Sequence, residues 1–489
     1  MATIDIKLSQ GALAQQPANG LGTLVDGIER VFYAGASNYQ VYSKSTITGG
    51  ALLVTYPDGA VETYSGFVSS DPGASSGKAT ATAYDLNLKD SVDMSYSGKL
   101  NLTYTTTSAG ISVDKSGQGL VINDIGYALQ FPVTDPQYIA QSGNVSVRAK
   151  GALNLGTNET VAGAITQFLI KAERGLTTVQ IDGDFHVSGN LLTDGEGLTH
   201  SSVGGTLTGY HLAYADGSHA DIGGISASLG TPAAVDIGLV SNPGYFSGND
   251  TFNIDLPASL SSLYQVASGA GDDQLTINGG GGKLAVDAGD GNDRITLLGD
   301  SHEVSGGAGL DTVVLPGARA DYQVTHPATS GAAVVIQGPL GIQDKLTSVE
   351  RIQFSDAAIA LDIDGNGGQA YRLYQAAFAR TPDKPGLGFW ISTLDNGATL
   401  NSVAQGFVAS SEFKTAYGAN PSNHDLVVQF YQNILHRPPE QAGLDYWAGI
   451  LDNKQGSVAD VLMQISESAE NKAGLVGVIG NGFEYTPYH

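Results

Sequence analysis

Apolar and polar residues alternate in short runs along the first half of the chain. Runs such as residues 51–56 and 99–104 place apolar side chains at every second position, which is the spacing of a half-buried β-strand. Tyr56-Pro57-Asp58-Gly59 and Tyr214-Ala215-Asp216-Gly217 each predict a turn between two paired strands. We therefore predict a β-sandwich or a β-solenoid for residues 1–240. One apolar run, residues 161–172, predicts a short helix.

The pattern changes between residues 268 and 314, where glycines recur at fixed distances before an Asp and a large aliphatic residue. The three copies supply Gly269, Gly271 and Asp273, then Gly289, Gly291 and Asp293, then Gly307, Gly309 and Asp311. Degenerate units, residues 279–287 and 297–305, lie between the copies and keep Val286 and Val304 at the strand position. Because complete and degenerate units alternate, we expect the three Asp residues on one edge of a parallel β-roll.

Calcium is the cation that this pattern favours. Glycines allow tight turns that leave carbonyl oxygens free to face a cation, and Asp adds the charged oxygen that calcium prefers. A weaker copy at residues 248–252 adds Asp250 to the same edge. We expect the opposite edge to be poor in calcium. Asp293→Ala should have the largest effect, because the turn of Asp293 has a neighbouring turn on each side.

The third copy matches the calcium-binding nonapeptide of RTX proteins at every position, and the chain resembles this bacterial family. Residues 344–356 are similar to the closing segment that follows RTX repeats. The resemblance implies a secreted protein that type I secretion machinery exports through an uncleaved C-terminal signal, here expected within residues 466–489. Because the closely spaced carboxylates of the roll repel until a cation bridges them, we also expect the roll to fold when calcium binds.

Residues 362–489 change to a helical pattern that contains two copies, 57 residues apart. The copies begin at Tyr374 and Tyr431, continue through Arg380 and Arg437, and reach the chain's only tryptophans, Trp390 and Trp447. We expect Pro382 and Pro439 to end the first helix of each copy. This segment resembles a helical domain of unknown function that often follows RTX repeats.

Two features of the helical copies have alternative interpretations. Each Arg is followed three residues later by an acidic residue, and the pair either binds an anionic ligand or fixes the turn of its own copy; we favour the second. The tryptophans either form a platform for a sugar or belong to the core, and their helical spacing favours the core.

The predicted domains are residues 1–240, 241–361 and 362–489. At the start of the third domain, Asp362, Asp364 and Asn366 occupy the first three ligand places of an EF-hand loop. Leu373 occupies the twelfth place, where calcium loops carry Glu. A small calcium site and a plain turn between domains both fit this sequence.

Composition narrows the possible partners. The 489 residues have a formal charge of −25 and no Cys, which disfavours nucleic acid and anionic membranes as partners and excludes disulfides. Residues 241–361 contain 14 acidic and 5 basic residues, a net charge of 5 − 14 = −9, so this block should repel itself without cations. We expect no cleaved signal peptide at the N-terminus and no transmembrane segment.

The sequence contains no clear catalytic motif. The nine histidines form no HExxH motif, so the resemblance does not extend to RTX metalloproteases. Residues 73–77 match the nucleophile-elbow pattern, but they lie in a polar run that favours a loop. We therefore expect a non-catalytic structural or adhesive protein at the cell surface, self-assembling as an S-layer-like or matrix component. The alternatives are an exported hydrolase with its active site in residues 1–240 and a glycan-binding adhesin.

Overall fold

A computed structural model of the chain describes residues 3–7, 44–56, 61–70, 74–88, 92–107, 110–114, 120–130, 144–155, 160–172, 176–190, 202–214, 216–228, 240–241, 243–258, 263–326 and 333–488. The chain divides into two compact units. The first contains Met1–Gly271 and Gly279–Leu284, and the second contains Asp272–Asn278 and Ala285–His489. This division falls inside the predicted roll, and the domain boundaries inferred from the sequence remain predictions.

The first unit is built from β-strands. They are β1 (Thr3–Lys7), β2 (Lys44–Thr48), β3 (Ala51–Thr55), β4 (Val61–Ser65), β5 (Val68–Ser69), β6 (Ser76–Leu88), β7 (Val92–Thr107), β8 (Gly110–Asp114), β9 (Leu120–Gln130), β10 (Asn144–Leu155), β11 (Thr160–Ala172), β12 (Leu176–Asn190), β13 (Ser202–Tyr214), β14 (His219–Ser228), β15 (Thr251–Asp255) and β16 (Tyr264–Ala267).

Most of these strands pair antiparallel with the next strand along the chain. The order is β2-β3-β4-β6-β7-β9-β10-β11-β12-β13-β14, and β5 and β8 pair with β6 and β7. The N-terminal strand β1 pairs antiparallel with β14 and parallel with β15. The antiparallel order does not fit a solenoid, whose neighbouring coils pair in parallel. The sandwich alternative for this region remains a prediction.

Both predicted hairpins are present in the first unit. β3 pairs with β4, although residues 57–60 of that turn lie outside the described residues. β13 pairs with β14, and in its turn the Ser218 N–H donates to Asp216 Oδ1 at 2.9 Å while Gly217 adopts a φ of 85°.

The helix predicted for residues 161–172 is wrong, because this run is strand β11. β-Branched residues are frequent in it, and β10 and β12 pair with it along almost its whole length. The sheet therefore satisfies the backbone hydrogen bonds that a helix would otherwise satisfy.

The second unit begins with the roll, whose strands lie in two sheets. They are β17 (Gln274–Asn278), β18 (Leu284–Asp287), β19 (Arg294–Leu298), β20 (Glu303–Ser305), β21 (Thr312–Val314), β22 (Gln323–Thr325), β23 (Val334–Gln337), β24 (Gln343–Thr347), β25 (Arg351–Gln353), β26 (Ala358–Ala360) and β27 (Phe483–Tyr485). In one sheet β17, β19, β21 and β25 pair in parallel, and β26 and β27 continue it antiparallel. In the other, β18, β20 and β24 pair in parallel, and β23 and β22 continue it antiparallel.

Successive turns of the chain therefore contribute strands alternately to the two sheets, which is a β-solenoid-like arrangement. The inward side chains are at most 3% exposed: Leu275, Ile277, Val286, Ile295, Leu297, Val304, Val313, Leu346 and Ile352. Complete repeats precede strands of the first sheet, and Val286 and Val304 of the degenerate units lie in the second sheet, as the alternation predicts.

Eight helices follow in the described part of the second unit. They are α1 (Asn366–Phe378), α2 (Lys384–Asp395), α3 (Leu400–Ala409), α4 (Ser411–Tyr417), α5 (Asn423–Ile434), α6 (Gln441–Asp452), α7 (Val458–Ser466) and α8 (Ala469–Ile479). Side-chain oxygens at six N-caps accept from the backbone of the first turn, those of Asp383, Thr399, Ser410, Ser422, Ser457 and Ser468. None of the helices in the described ranges combines the length and apolar character needed to cross a bilayer.

The first helix of each copy ends earlier than the prolines predict. α1 ends at Phe378 and α5 at Ile434, each several residues before Pro382 or Pro439. The equivalent residues Ala379 and His436 adopt left-handed φ angles of 51° and 53°, so the backbone leaves the helix there and the proline follows in the loop.

Candidate cation-binding edge of the roll

Four acidic residues follow one edge of the roll, each directly before a strand of the first sheet. They are Asp273, Asp293, Asp311 and Glu350, and we call them the carboxylate ladder. The Asp273 N–H donates to Asp293 Oδ1 at 2.8 Å, and the Asp293 N–H donates to Asp311 Oδ1 at 2.9 Å. The Asp311 N–H donates to Glu350 Oε2 at 2.9 Å. The side chains of Asp293, Asp311 and Glu350 therefore each bind the backbone of the preceding coil.

The ladder holds negative charge in a dehydrated place. Asp273, Asp293 and Asp311 are at most 1% exposed. Burial raises the pKa of Asp293 to about 7, and the neighbouring carboxylate of Asp311 acts in the same direction. Burial likewise raises the pKa of Asp311 to about 6, with Glu350 adding to the effect, and burial raises the pKa of Glu350.

Glycines allow the turns on this edge to stack closely. Gly307 and Gly309 adopt φ angles of 108° and 139°, and a Cβ on either would collide with the carbonyl oxygen of Gly289 or Gly291 in the turn before it. The Ala308 N–H donates to the Gly289 carbonyl oxygen at 2.8 Å. The sequence predicts a free carbonyl oxygen here, but this one accepts a hydrogen bond. A carbonyl oxygen that accepts one hydrogen bond keeps a second lone pair.

The weaker copy has the same local structure in the first unit. Asp250 is 2% exposed and directly precedes β15. The Gly248 N–H donates to the Ala270 carbonyl at 2.5 Å, and a Cβ on Gly271 would collide with the backbone of Gly248. Gly269 also has a positive φ, 92°. The turn at residues 248–250 thus stacks on the turn at residues 269–271.

Two features of this edge were missed from the sequence. Asp272 and Asn292, one position before the ladder residues, form an exposed second row in which the Asn292 N–H donates to Asp272 Oδ1 at 2.8 Å. Asn292 Oδ1 in turn accepts from the Leu310 N–H at 2.9 Å. Glu350 lies in no glycine repeat, and its only sequence signal is an acidic residue directly before the strand Arg351–Gln353.

The oxygen atoms of the ladder fit a hard cation. Within the described residues, Asp293 Oδ2 and Asp311 Oδ2 are buried and accept no hydrogen bond, although their Oδ1 atoms do. No three His, Asp or Glu side chains of the described ranges come close enough together to form a metal site by themselves. A cation here would therefore need backbone carbonyl oxygens as well as carboxylates, and mixed oxygen ligands of this kind suit calcium.

The opposite edge of the roll has a different structure. There the buried Asp344 accepts from the backbone N–H of His302 at 2.9 Å and lies 3.2 Å from its ring Nδ1. The carboxylate is thus already satisfied by a histidine from the neighbouring coil. Whether this edge binds less calcium, as we expect, remains a prediction.

The EF-hand-like loop is the N-terminal boundary of α1. Asp362 forms an ion pair with the buried Arg351 and accepts from the Gly367 N–H at 2.8 Å. Asn366 Nδ2 donates to Asp395 at 3.0 Å, and Asp364 is exposed. Because a guanidinium group neutralises Asp362, this geometry favours the plain turn over a calcium site.

Both arginines of the helical repeat contact acidic residues of the same domain. Arg437 donates to Glu470 at 2.5 and 2.8 Å and to Glu440 at 2.6 Å. Arg380 donates to Glu412 at 2.8 Å and lies 3.3 Å from Asp383. This geometry fits the interpretation that each arginine fixes the turn of its own copy. In addition, each arginine contacts a later helix.

The tryptophans lie at the margin of the helical core and are half-buried. Trp390 packs against Phe407 with ring centroids 4.5 Å apart. Each tryptophan follows a more exposed ring, Phe389 at 38% and Tyr446 at 59% exposure, and both ring pairs are T-shaped at 4.8 Å. The core interpretation is thus correct in part, because aromatic surface also remains accessible.

Residues 74–77 and His211 have structural roles in the β-sheet of the first unit. Ser76 begins strand β6, so the pattern at residues 73–77, whose Gly73 lies outside the described residues, precedes a strand and not the helix of a nucleophile elbow. His211 lies between two carboxylates of neighbouring strands, with Nδ1 2.9 Å from Asp221 and Nε2 3.3 Å from Asp182. Each ring nitrogen faces a different carboxylate, so His211 pairs across both neighbouring strands.

Comparison with known families identifies the helical segment. The profile described as Domain of unknown function (DUF4214) matches residues 369–416 and 404–475. A comparison with curated proteins finds no match. The chain therefore carries a C-terminal DUF4214 domain, and the β-solenoid-like stretch before it is compatible with RTX-type repeats.

Proposed function

We propose that the protein is an exported RTX-type protein whose roll binds calcium along the carboxylate ladder and folds as it does so. The observation that carries this proposal is the set of buried carboxylates in successive coils. Asp293 and Asp311 each have one oxygen without a hydrogen bond among the described residues. These carboxylates, with carbonyl oxygens from the stacked glycine turns, would hold the ions. The bound calcium would supply positive charge beside Asp293 and Asp311.

Calcium would act here by stabilising the fold. A cation that binds the folded roll and not the unfolded chain adds its binding free energy to folding, about 2.7 kcal/mol per site at one hundred times Kd. Calcium titration into chelated protein, followed by circular dichroism and by equilibrium dialysis, tests this. We expect β signal and bound calcium to rise together, whereas magnesium, which keeps its waters, should be less effective. Full β content without bound calcium would contradict the proposal.

We further propose a structural or adhesive role at the cell surface, with self-association that requires calcium. The formal charge of −25 opposes association, and calcium would reduce this repulsion. Light scattering during a titration to about 10 mM calcium, well above the Kd of weak extracellular sites, should show assembly after folding is complete. A monodisperse monomer throughout would contradict self-association and leave the adhesin or the hydrolase.

Export by type I machinery belongs to the same proposal. The signal is expected within residues 466–489, which include α8 and β27. A reporter fused to residues 362–489 should leave cells that possess a type I exporter. Deletion of roughly the last twenty residues should retain it in the cell, and unchanged secretion would place the signal elsewhere.

A second candidate, glycan binding by the helical domain, is favoured by the exposed rings. Tyr446 and Tyr488 are 59% and 58% exposed, and aromatic faces stack well on sugars. Binding of the full chain to a glycan array that Tyr446→Ala abolishes would support it. Exposed Val476→Ala, 59% exposed, is the matched control for lost apolar surface.

A further inference from the structure

The last coil of the roll meets a different kind of turn from the earlier coils. After Asp311 the next turn on this edge comes from the cap, where residues 347–350 lead into β25. The Gly306 N–H donates to the Thr347 carbonyl oxygen at 3.0 Å, and the Asp311 N–H donates to Glu350 at 2.9 Å. The cap loop is therefore bonded to the third glycine turn on both sides of that turn.

Two oxygen atoms, one from the cap and one from the ladder, converge beside Gly306. A Cβ built on Gly306 would collide with the Ser348 carbonyl oxygen and would lie 2.6 Å from Asp311 Oδ2. Gly306 lies outside the left-handed φ region, so its backbone conformation does not require glycine. The absence of a side chain instead keeps the two oxygen atoms facing the same space.

Asp311 Oδ2 and the Ser348 carbonyl oxygen both occupy positions that are energetically unfavourable by themselves. Asp311 is 0% exposed, and within the described residues its Oδ2 accepts no hydrogen bond. A buried carboxylate oxygen without a partner is costly unless another group satisfies it. Ser348 adopts a φ of 48°, which residues other than glycine rarely adopt, and its carbonyl oxygen lies beside Gly306.

We infer that this space is an additional calcium site, formed by Asp311, the Ser348 carbonyl oxygen and the Glu350 carboxylate. It differs from sites between two glycine turns, because one side comes from the cap. Ser348 is exposed and Glu350 is half-buried, so water can complete the coordination. An ion here would join the cap to the last coil. This inference rests on the proposed calcium binding by the roll.

Counting bound ions in the full chain tests the inference. Glu350→Gln keeps an acceptor for the Asp311 N–H and removes the charge, whereas Gly306→Ala places a methyl group against the Ser348 carbonyl oxygen and Asp311 Oδ2. Glu303→Gln is the matched control for charge, because Glu303 is exposed and pairs with Lys345. Gly474→Ala is the control for an added methyl group, since no atom lies within 4 Å of the position.

Equilibrium dialysis against calcium chloride should give one ion fewer per chain in both test variants than in wild type and the controls. Hydrogen exchange should show calcium-dependent protection of residues 347–353 that Glu350→Gln removes and Glu303→Gln retains. An unchanged number of ions in both variants, or loss of several ions together, would overturn the inference. A wild-type chain that binds no calcium would instead overturn the proposed function.

Discussion

The roll and the helical domain compensate the charge of their carboxylates in opposite ways. In the helical domain the chain supplies its own cations: Arg372 is 2% exposed and donates to Glu467 at 2.7 and 2.8 Å. In the roll, the equally buried Asp293 and Asp311 contact backbone N–H groups and one another's coils, with no Lys or Arg ion pair among the described contacts.

This difference changes what each region requires from its surroundings. An arginine fixed in the sequence neutralises a carboxylate under all conditions, so the helical domain should fold independently of ions. Asp293 and Asp311, which have no such pair among the described contacts, remain costly to bury until a cation or a proton reaches them. If the proposed calcium binding holds, the chain combines a region with internal charge compensation and a region that depends on external charge.

Removal of calcium should produce the largest difference in stability between the roll and the helical domain. In excess chelator we expect residues 263–326 to lose protection from hydrogen exchange, because the ladder carboxylates then repel one another. Helices α1–α8 should keep their protection, since Glu412, Glu467 and Glu470 have arginine partners within the same domain. Equal loss in both regions, or retention in both, would show that the charge difference does not control folding.

Removal of an arginine from the helical domain should destabilise the helices whether or not calcium is present. Arg372→Ala removes the buried partner of Glu467, which is 18% exposed and keeps Lys472 at 3.3 Å, so the loss should stay below the roughly 3–5 kcal/mol of a fully buried pair. Urea unfolding followed by helical circular dichroism should show this loss equally with calcium and with chelator. A loss that appears only in chelator would argue against independent folding of the helices. The double variant Arg372→Met with Glu467→Leu is the control, because replacing both partners removes the unpaired charge.

The effect of Asp293→Asn on the stability of the roll should have opposite signs in chelator and in saturating calcium. The amide keeps an acceptor for the Asp273 N–H but cannot carry the charge that burial makes costly. In chelator the variant should therefore be more stable than wild type, by up to about 4 kcal/mol at alkaline pH, since each tenfold change in proton affinity corresponds to about 1.4 kcal/mol. In saturating calcium it should be less stable. Asp290→Asn, exposed in the same turn, is the control and should change neither value.

The positions of the ladder aspartates could be predicted because the repeat fixes their distance from each strand. Each complete copy places Asp one residue before a strand, and the degenerate units fill the other sheet. Glu350 could not be predicted in this way. It follows Asp311 by 39 residues, after the inserted strands β22–β24, and no glycines accompany it. Its role depends on the fold that brings the cap to the end of the roll.

In the helical domain the repeat identified Arg380 and Arg437 but not all their partners. Glu412 and Glu470 also occupy equivalent places, each two residues after the capping serines Ser410 and Ser468. Their spacing of 58 residues, compared with 57 for the arginines, could have revealed them. The helix predicted for residues 161–172 failed for another reason, because the pairing of neighbouring strands outweighed a continuous apolar run.

Protons should partly replace calcium in the roll. Asp293 and Asp311 have folded pKa values of about 7 and 6, raised by burial above the ordinary 3.8. The folded roll therefore binds protons more tightly than the unfolded chain, so chelated roll should gain stability on acidification and lose it as pH rises through 6 and 7. Circular dichroism in chelator at pH 5 and pH 8 measures this. Asp293→Asn should reduce the difference, and a roll that is less stable at pH 5 would contradict it.

The smallest effects should come from the exposed arginines of the repeat. Arg437 and Arg380 are 37% and 42% exposed, so each variant, Arg437→Gln or Arg380→Gln, should cost about 1 kcal/mol or less. Arg437 should matter more, because it donates twice to Glu470 and once to Glu440, whereas Arg380 has one short bond to Glu412. Urea unfolding at low and high salt measures both losses, which salt should reduce because these pairs are exposed. A loss as large as that of Arg372→Ala, or one that depends on calcium, would contradict internal compensation at the helical surface.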